Sequence, residues 1–448
     1  MVPNLQVQTT YRQIIKIAAP ISFAMLVPQA NFVINNIFLG KLSEEALAVA
    51  SITGVYYLIF AGIGYGLNNG LQALLSRRAG ENNPLEMGRI FGQGIFIALA
   101  IAAAGIFITY TITPLVLRRV LHTATVAEEA IAFLRIRIWG LLFLYLYQMR
   151  NALLVSLNLS RFLVLGTLAE ALANILFDYG LIFGKLGMPQ LGFNGAAVAS
   201  VVAEAVGLFA IYAVIRWRKL DQGLQLFRSL KTDRERIKSI LNVSGPLIFQ
   251  HAISIISWLL FYILIERNST QTGLAVSNTM RTVFGFLGVF VWAMASTTNS
   301  MVSNIIGQGK QQEVFPVVRK IIRVNLLLAF TVFVALNALA PYYLQLFGTT
   351  ADFIETGLPV VRVVSVAVIG MAISAIWLNA VIGSGHTKMS FTIEAISITV
   401  YSVYVLVVME WAQGALYIGW MSEWVYWAVM GSLAYAYMRW GRWQHKTI

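Results

Sequence analysis

Long apolar runs recur along this chain, parted by short polar turns, and they constrain its fold more than any other feature. A bilayer-spanning helix needs about 20 mostly apolar residues. Candidate spans fall at roughly 14–39, 46–75, 90–117, 131–156, 162–184, 194–215, 239–265, 273–305, 316–346, 357–382, 389–410 and 414–438. Hydrophobic residues make up 58% of the 448 positions and charged residues 11%, whereas a soluble domain carries about 25% charged residues. The chain lacks the residues for a charged skin, so its surplus apolar surface faces lipid. Inside a bilayer the backbone must satisfy its own hydrogen bonds. The expected fold is therefore an all-α integral membrane protein of about twelve transmembrane helices. Arg12 and Lys16 stand at the head of the first run, which is too long for the core of a cleavable signal and reads as a retained first span.

The net charge of +13 would suggest nucleic acid in a soluble chain. Here the charge sits in short segments between apolar runs, so no nucleic-acid partner is expected. Lysine and arginine collect on alternate turns, above all in the segment 216–238, while the other side holds little beyond Lys41, Arg118, Arg119, Lys185 and Arg267. By the positive-inside rule both termini and the central segment lie in the cytoplasm, as in a multi-pass protein of the plasma (inner) membrane. The chain has no cysteine, which excludes disulfides and Cys-ligated metal sites. No GxxxxGK[ST] pattern is present, which argues against energy drawn from bound ATP. The four histidines, His122, His251, His386 and His445, are too scattered for a membrane-embedded enzyme. No resident cofactor is expected.

The chain reads as two copies of one six-span unit, expected as lobes over 1–215 and 239–448 joined by the basic linker 216–238. Pro20 meets Pro246 at an offset of 226; Ser76 and Gly80 meet Ser303 and Gly307 at 227; Arg135 meets Arg362 at 227. Late in the halves the offset falls to 219, pairing Gly195, Ala196 and Glu204 with Gly414, Ala415 and Glu423. An even number of spans per copy gives both copies the same orientation, related by an axis along the membrane normal, with a site between the lobes.

A charge at the bilayer centre costs about 2.5–3.5 kcal/mol on insertion scales, so intramembrane ionisable groups are functional candidates. In the fifth span Glu170, Asn174 and Asp178 recur at i, i+4 and i+8 and share one helix face. Their oxygens suit a proton relay or a hard cation such as sodium; a snorkelling end residue is the other reading of Glu170. Glu204 and Glu423, at equivalent repeat positions and read as near mid-span, fit duplicated function or duplicated structural pairing equally. Glu394 is a candidate second titratable site or a contact for a cationic substrate. His251 is either a protonation switch or an interhelical donor. Arg281, whose repeat mate is Gly54, is expected to pair with an acidic residue rather than bind an anionic substrate.

Three segments, IFLGKLSEEALAVASITG, GLNNGLQALLSRRAGENNPLEMGRIFGQG and NILFDYGLIFGKLGMPQLGFNGAAVAS, resemble the multidrug and toxic compound extrusion (MATE) family, within the larger multidrug/oligosaccharidyl-lipid/polysaccharide (MOP) group. The resemblance covers nearly the whole length. It implies two six-helix lobes in a V and export of organic cations or amphipathic compounds in exchange for protons or sodium, by a chain expected to be monomeric in its lipid. Asp178 and Asn174 carry over from the family motif as ion-coupling candidates, with sodium as a candidate ligand. Asn35 stands where the family's first span usually has an acidic residue, and Ser254 where another branch has a glutamate. The alternative is a flippase for a lipid-linked saccharide or other amphipathic lipid, which a broadly basic cavity would favour.

Overall fold

A computed structural model describes residues 5–121, 123–226, 231–348, 350–444 and 446; His122, Arg228 and His445 lie outside the described residues. The first half comprises α1 (Tyr11–Leu42), α2 (Glu44–Gly80), α3 (Pro84–Thr111), α4 (Thr113–Val120), α5 (Ala124–Arg137), α6 (Gly140–Ser156), α7 (Leu163–Phe183) and α8 (Phe193–Trp217). A short α9 (Leu220–Gly223) follows. The second half comprises α10 (Arg234–Asn268), α11 (Gln271–Gly307), α12 (Val314–Ala338), α13 (Ala340–Gln345), α14 (Ala351–Gly383), α15 (Thr387–Val405, continued by a π-helical turn to Trp411), α16 (Leu416–Trp420) and α17 (Ser422–Trp440). Among the described residues ten helices are each long and apolar enough to cross a membrane, and α5 with α6, bent by 46°, passes as an eleventh when taken as one span. The pair α16–α17 closes the second half, in keeping with about twelve helices.

The repeat is visible in helix ends as well as in residues. Both α2 and α11 contain 37 residues, and both of their ends match at an offset of 227. Ser43 and Thr270, also 227 apart, each cap the following helix by accepting a backbone N–H, Ser43 from Ala46 and Thr270 from Gly273. The span α5–α6 and its mate α14 match at 227 as well, yet α14 is one unbroken 33-residue helix.

The halves meet along α2 and α11, and their contacts come in pseudo-two-fold pairs. Asn299 Nδ2 donates to Asn69 O at 3.0 Å, and its mate Gln72 Nε2 donates to Ser296 O at 2.8 Å. Ser76 Oγ bonds Ser300 Oγ at 2.9 Å, while the mate pair is Ser303 Oγ donating to Ala73 O at 2.6 Å. A Cβ on Gly80 would collide with the Asn304 carbonyl, and one on Gly307 with the Arg77 carbonyl. Only glycine permits this backbone approach, and it occurs at both symmetry-related crossings. These pairs place the axis between α2 and α11.

The linker packs against the first half. Buried Gln93 donates Nε2 to Lys231 O at 2.9 Å and accepts Asp233 N–H at 3.0 Å. Asp233 caps α10, and the Glu235 and Arg236 N–H groups it accepts hold its carboxyl below the usual range, the latter bond foremost.

Candidate ion site and its counterpart in the second half

In the first half, α1 and α7 run parallel in near-constant register. Gln13 bonds Asn158, Ser160 Oγ donates to Ile17 O at 3.0 Å, and the Phe38 and Phe183 rings lie 6.0 Å apart. These pairs are separated by 143 to 145 residues. Within this register Asn31 Nδ2 donates to Asn174 Oδ1 at 2.6 Å. One helical turn further along each helix come Asn35 and Asp178, which the register sets at one level.

The polar atoms here do not balance. Asp178 is fully buried and Asn174 is 3% exposed. Asp178 Oδ1 and Oδ2, Asn31 Oδ1 and Asn35 Oδ1 are buried without a hydrogen-bond donor among the described residues. Buried acceptors are almost always satisfied, and an orphaned one costs about 1–3 kcal/mol. The four orphaned oxygens lie on successive turns of the paired helices, one carboxylate among amides, and oxygen donors of this kind suit a hard cation. Glu170 stands apart from this set. It is half-buried on α7 and packs toward α8, where a Cβ on Gly207 would lie 2.9 Å from the Glu170 Cβ.

Glu204, on α8, sits in a salt bridge. Arg137 Nη2 lies 2.6 Å from its Oε1 and Nη1 3.0 Å from its Oε2, and Tyr57 OH donates to the same carboxylate at 3.0 Å. The guanidinium also lies 3.6 Å from the Tyr57 ring centroid. This trio occupies the crook of the α5–α6 bend, where a Cβ on Gly140 would collide with both charged groups.

The second half has a different polar interior. Glu394 on α15, 3% exposed, accepts at Oε1 from Ser254 Oγ at 2.7 Å and from Tyr426 OH at 2.6 Å. Glu423 accepts Trp427 Nε1 at 3.0 Å. It lies in the first turn of α17, not near mid-span as expected, because the last span breaks at Met421. Trp420, buried and bonded through Nε1 to Ser277 Oγ at 3.2 Å, pins α16 against α11 beside that break. Around these carboxylates stand Tyr401, Tyr426 and Trp427, with the Tyr426 and Trp427 rings 4.8 Å apart.

Two other candidates find different neighbours from those expected. Arg281 meets no carboxylate among the described residues; its guanidinium lies 5.4 Å from the Tyr262 ring centroid, because α10 presents an aromatic there. His251 faces α2 of the other half, its Cβ 3.9 Å from where a Gly62 Cβ would be. Asn31, Tyr57, Arg137 and Tyr426 escaped the sequence reading. Asn31 had a signal, an amide one turn before Asn35 inside an apolar run, and so had Arg137, a charge in FLRIRIWG.

The MatE family model matches residues 20–180 and again residues 246–408. A "Probable multidrug resistance protein NorM" of Synechocystis sp. is 29% identical over 246 residues, 54% of this chain and 52% of its own length. The chain thus matches about half the length of that relative. A protein of the same name in Thermotoga maritima is 23% identical over 88% of this chain and 85% of its own. Among solved structures, "a MOP superfamily transporter from Pyrococcus furiosus" superposes with a TM-score of 0.89 at 17% identity over 100% of this chain and 99% of that one. Another, titled as an outward-facing conformation of a multidrug resistance MATE family transporter, gives 0.89 at 18% identity over the same shares. At these identities the superpositions establish the fold.

Proposed function

This chain belongs to the MATE family of membrane transporters, and from that premise we propose that it is a secondary active exporter of organic cations or amphipathic drugs. It works by alternating access, exchanging substrate for a monovalent cation bound at Asp178. The observation that carries this reading is the set of orphaned oxygens on Asn31, Asn35 and Asp178. A single proton on Asp178 would supply one donor, whereas sodium would engage several of these oxygens at once. Sodium is therefore the favoured coupling ion, and Asn35, which cannot titrate, serves as a neutral ligand.

The balance of charge favours a cationic cargo. Arg137 is neutralised by Glu204, while Glu170, Asp178, Glu394 and Glu423 have no basic side chain in ion-pair contact among the described residues. An interior dominated by carboxylates repels the pyrophosphate of a lipid-linked saccharide, which disfavours the flippase. Glu394 and Glu423, walled by Tyr401, Tyr426 and Trp427, suit a desolvated organic cation. We place the protein in the plasma (inner) membrane as a monomer with no resident cofactor, its basic end and both termini in the cytoplasm.

Efflux of a cationic dye from proteoliposomes, driven by an imposed sodium gradient or an imposed proton gradient, tests the proposal. Asp178→Asn should abolish sodium-driven efflux while the protein stays folded. Efflux indifferent to that substitution would overturn the coupling role, and efflux driven by protons alone would overturn the choice of sodium.

A further inference from the structure

At the basic end of the seam, one repeat position carries arginine in the first copy and asparagine in the second. Arg77 and Asn304 are 227 residues apart, at matching places near the C-termini of α2 and α11. Both are buried, at 4% and 1% exposed, and each reaches across to the other half.

Arg77 binds backbone carbonyls of the second half. Its Nε donates to Ser303 O at 3.1 Å, Nη2 to Ser384 O at 3.2 Å, and Nη1 to Lys446 O at 3.2 Å. Ser384 caps the C-terminus of α14, so the guanidinium sits at the negative end of that helix. Lys446 belongs to the segment after α17, and its own Nζ donates to Gly385 O at 2.7 Å. Asn304 does the converse. It accepts Val7 N–H at 3.1 Å and donates to Leu5 O at 2.8 Å, holding the segment before α1. Leu5 and Val7 are buried there, and Lys320 Nζ secures Thr9 O at 2.7 Å. The segment leading into the first half is strapped to the second, and the segment leaving the second is strapped to the first.

We propose that Arg77 and Asn304 are the gate residues of the transport cycle at this end, holding the lobes closed through the two crossed segments. The inference rests on the alternating-access reading above. The chemistry suits a joint that opens. Arg77 has no carboxylate in ion-pair contact among the described residues, and both its donors and the carbonyls can be rehydrated when the lobes part. A permanent joint gains more from apolar packing than from a buried charge. The Gly80–Gly307 crossing beside it lets the backbones close to contact distance.

The absence of cysteine allows a one-site reporter. Ser300→Cys places a thiol on α11 opposite Ser76, at a position 1% exposed. Its rate of modification by a small soluble maleimide is read in the parent and with Arg77→Ala or Asn304→Ala, without gradient or substrate. Arg77→Gln and Asn304→Ser replace either variant if it fails to give a monodisperse protein. Loss of the charged bonds should speed modification about tenfold or more with Arg77→Ala, and by a smaller factor with Asn304→Ala. Rates equal to the parent in both would overturn the gate. If modification accelerates while the parent shows no ion-driven efflux, the two residues hold the lobes together but the transport reading falls, and the gate with it; if efflux is normal and modification stays flat, the gate alone falls.

Discussion

The fourth span of the first half breaks between Arg137 and Gly140, whereas its mate α14 runs unbroken from Ala351 to Gly383. The residues explain the difference. At the positions of Tyr57, Arg137 and Gly140, the second copy has Phe284, Val364 and Ala367. Glu204 and Glu423 occupy matching places, but Glu204 is held by Arg137 and Tyr57 while Glu423, among the described residues, has only the Trp427 indole. One copy thus spends its last-helix carboxylate on an ion pair that fills a bend. The other leaves that carboxylate near Glu394 in an aromatic interior. Duplication set the frame, as the matched ends of α2 and α11 record, and divergence of a few intramembrane residues gave the halves different chemistry.

Breaking the ion pair should have the largest effect. Arg137→Val copies the second half's residue but strands a buried carboxylate, at a cost of about 3–5 kcal/mol. Adding Glu204→Leu removes the stranded charge and should recover most of that loss, as read from the thermal midpoint of purified protein. Next comes Gly140→Ala, which copies Ala367 and overpacks the crook, at about 1–3 kcal/mol. The reverse change, Ala367→Gly, opens no bend and should cost only about 0.5–1 kcal/mol. Equal effects of the two substitutions would mean that the bend does not depend on the room Gly140 provides. Tyr426→Phe removes one donor to Glu394 and should cost about 0.5–1.5 kcal/mol, with a larger loss in transport of a cationic dye than in stability.

A pH dependence is also expected beside Arg77, at His386. Burial, with Lys446 and Arg77 nearby, holds His386 down to about 4 from its usual 6.5. A histidine whose folded value is lowered contributes stability that is present above its unfolded value and is lost as pH falls from about 6.5 toward 4. The thermal midpoint should therefore drop more between neutral and acid pH in the parent than in His386→Gln. Parallel profiles would show that His386 is not the group responsible.

Much of this architecture is legible in the sequence because the bilayer demands uninterrupted apolar length and because the repeat keeps a nearly fixed offset. Asp178 and Asn174 are legible for the same reason, as polar residues at helical spacing in a run that should hold none. Partners across helices are not. Arg137 and Glu204 are 67 residues apart, and spacing along one helix says nothing about which residue of another helix faces it. The partner of Asn31 becomes evident only once the parallel register of α1 and α7 brings it to Asn174. The break at Met421 is hidden because no proline marks it, and the Trp420 anchor beside it is a tertiary contact. Arg281 shows the same limit, since its aromatic partner lies on another helix.

Sodium binding to the purified protein, followed by titration calorimetry without substrate, tests the proposed coupling site most directly. Saturable binding that disappears in Asp178→Asn and weakens in Asn31→Ala and in Asn35→Ala is the expected result. Binding that survives Asp178→Asn undiminished would place the ion elsewhere and contradict the account.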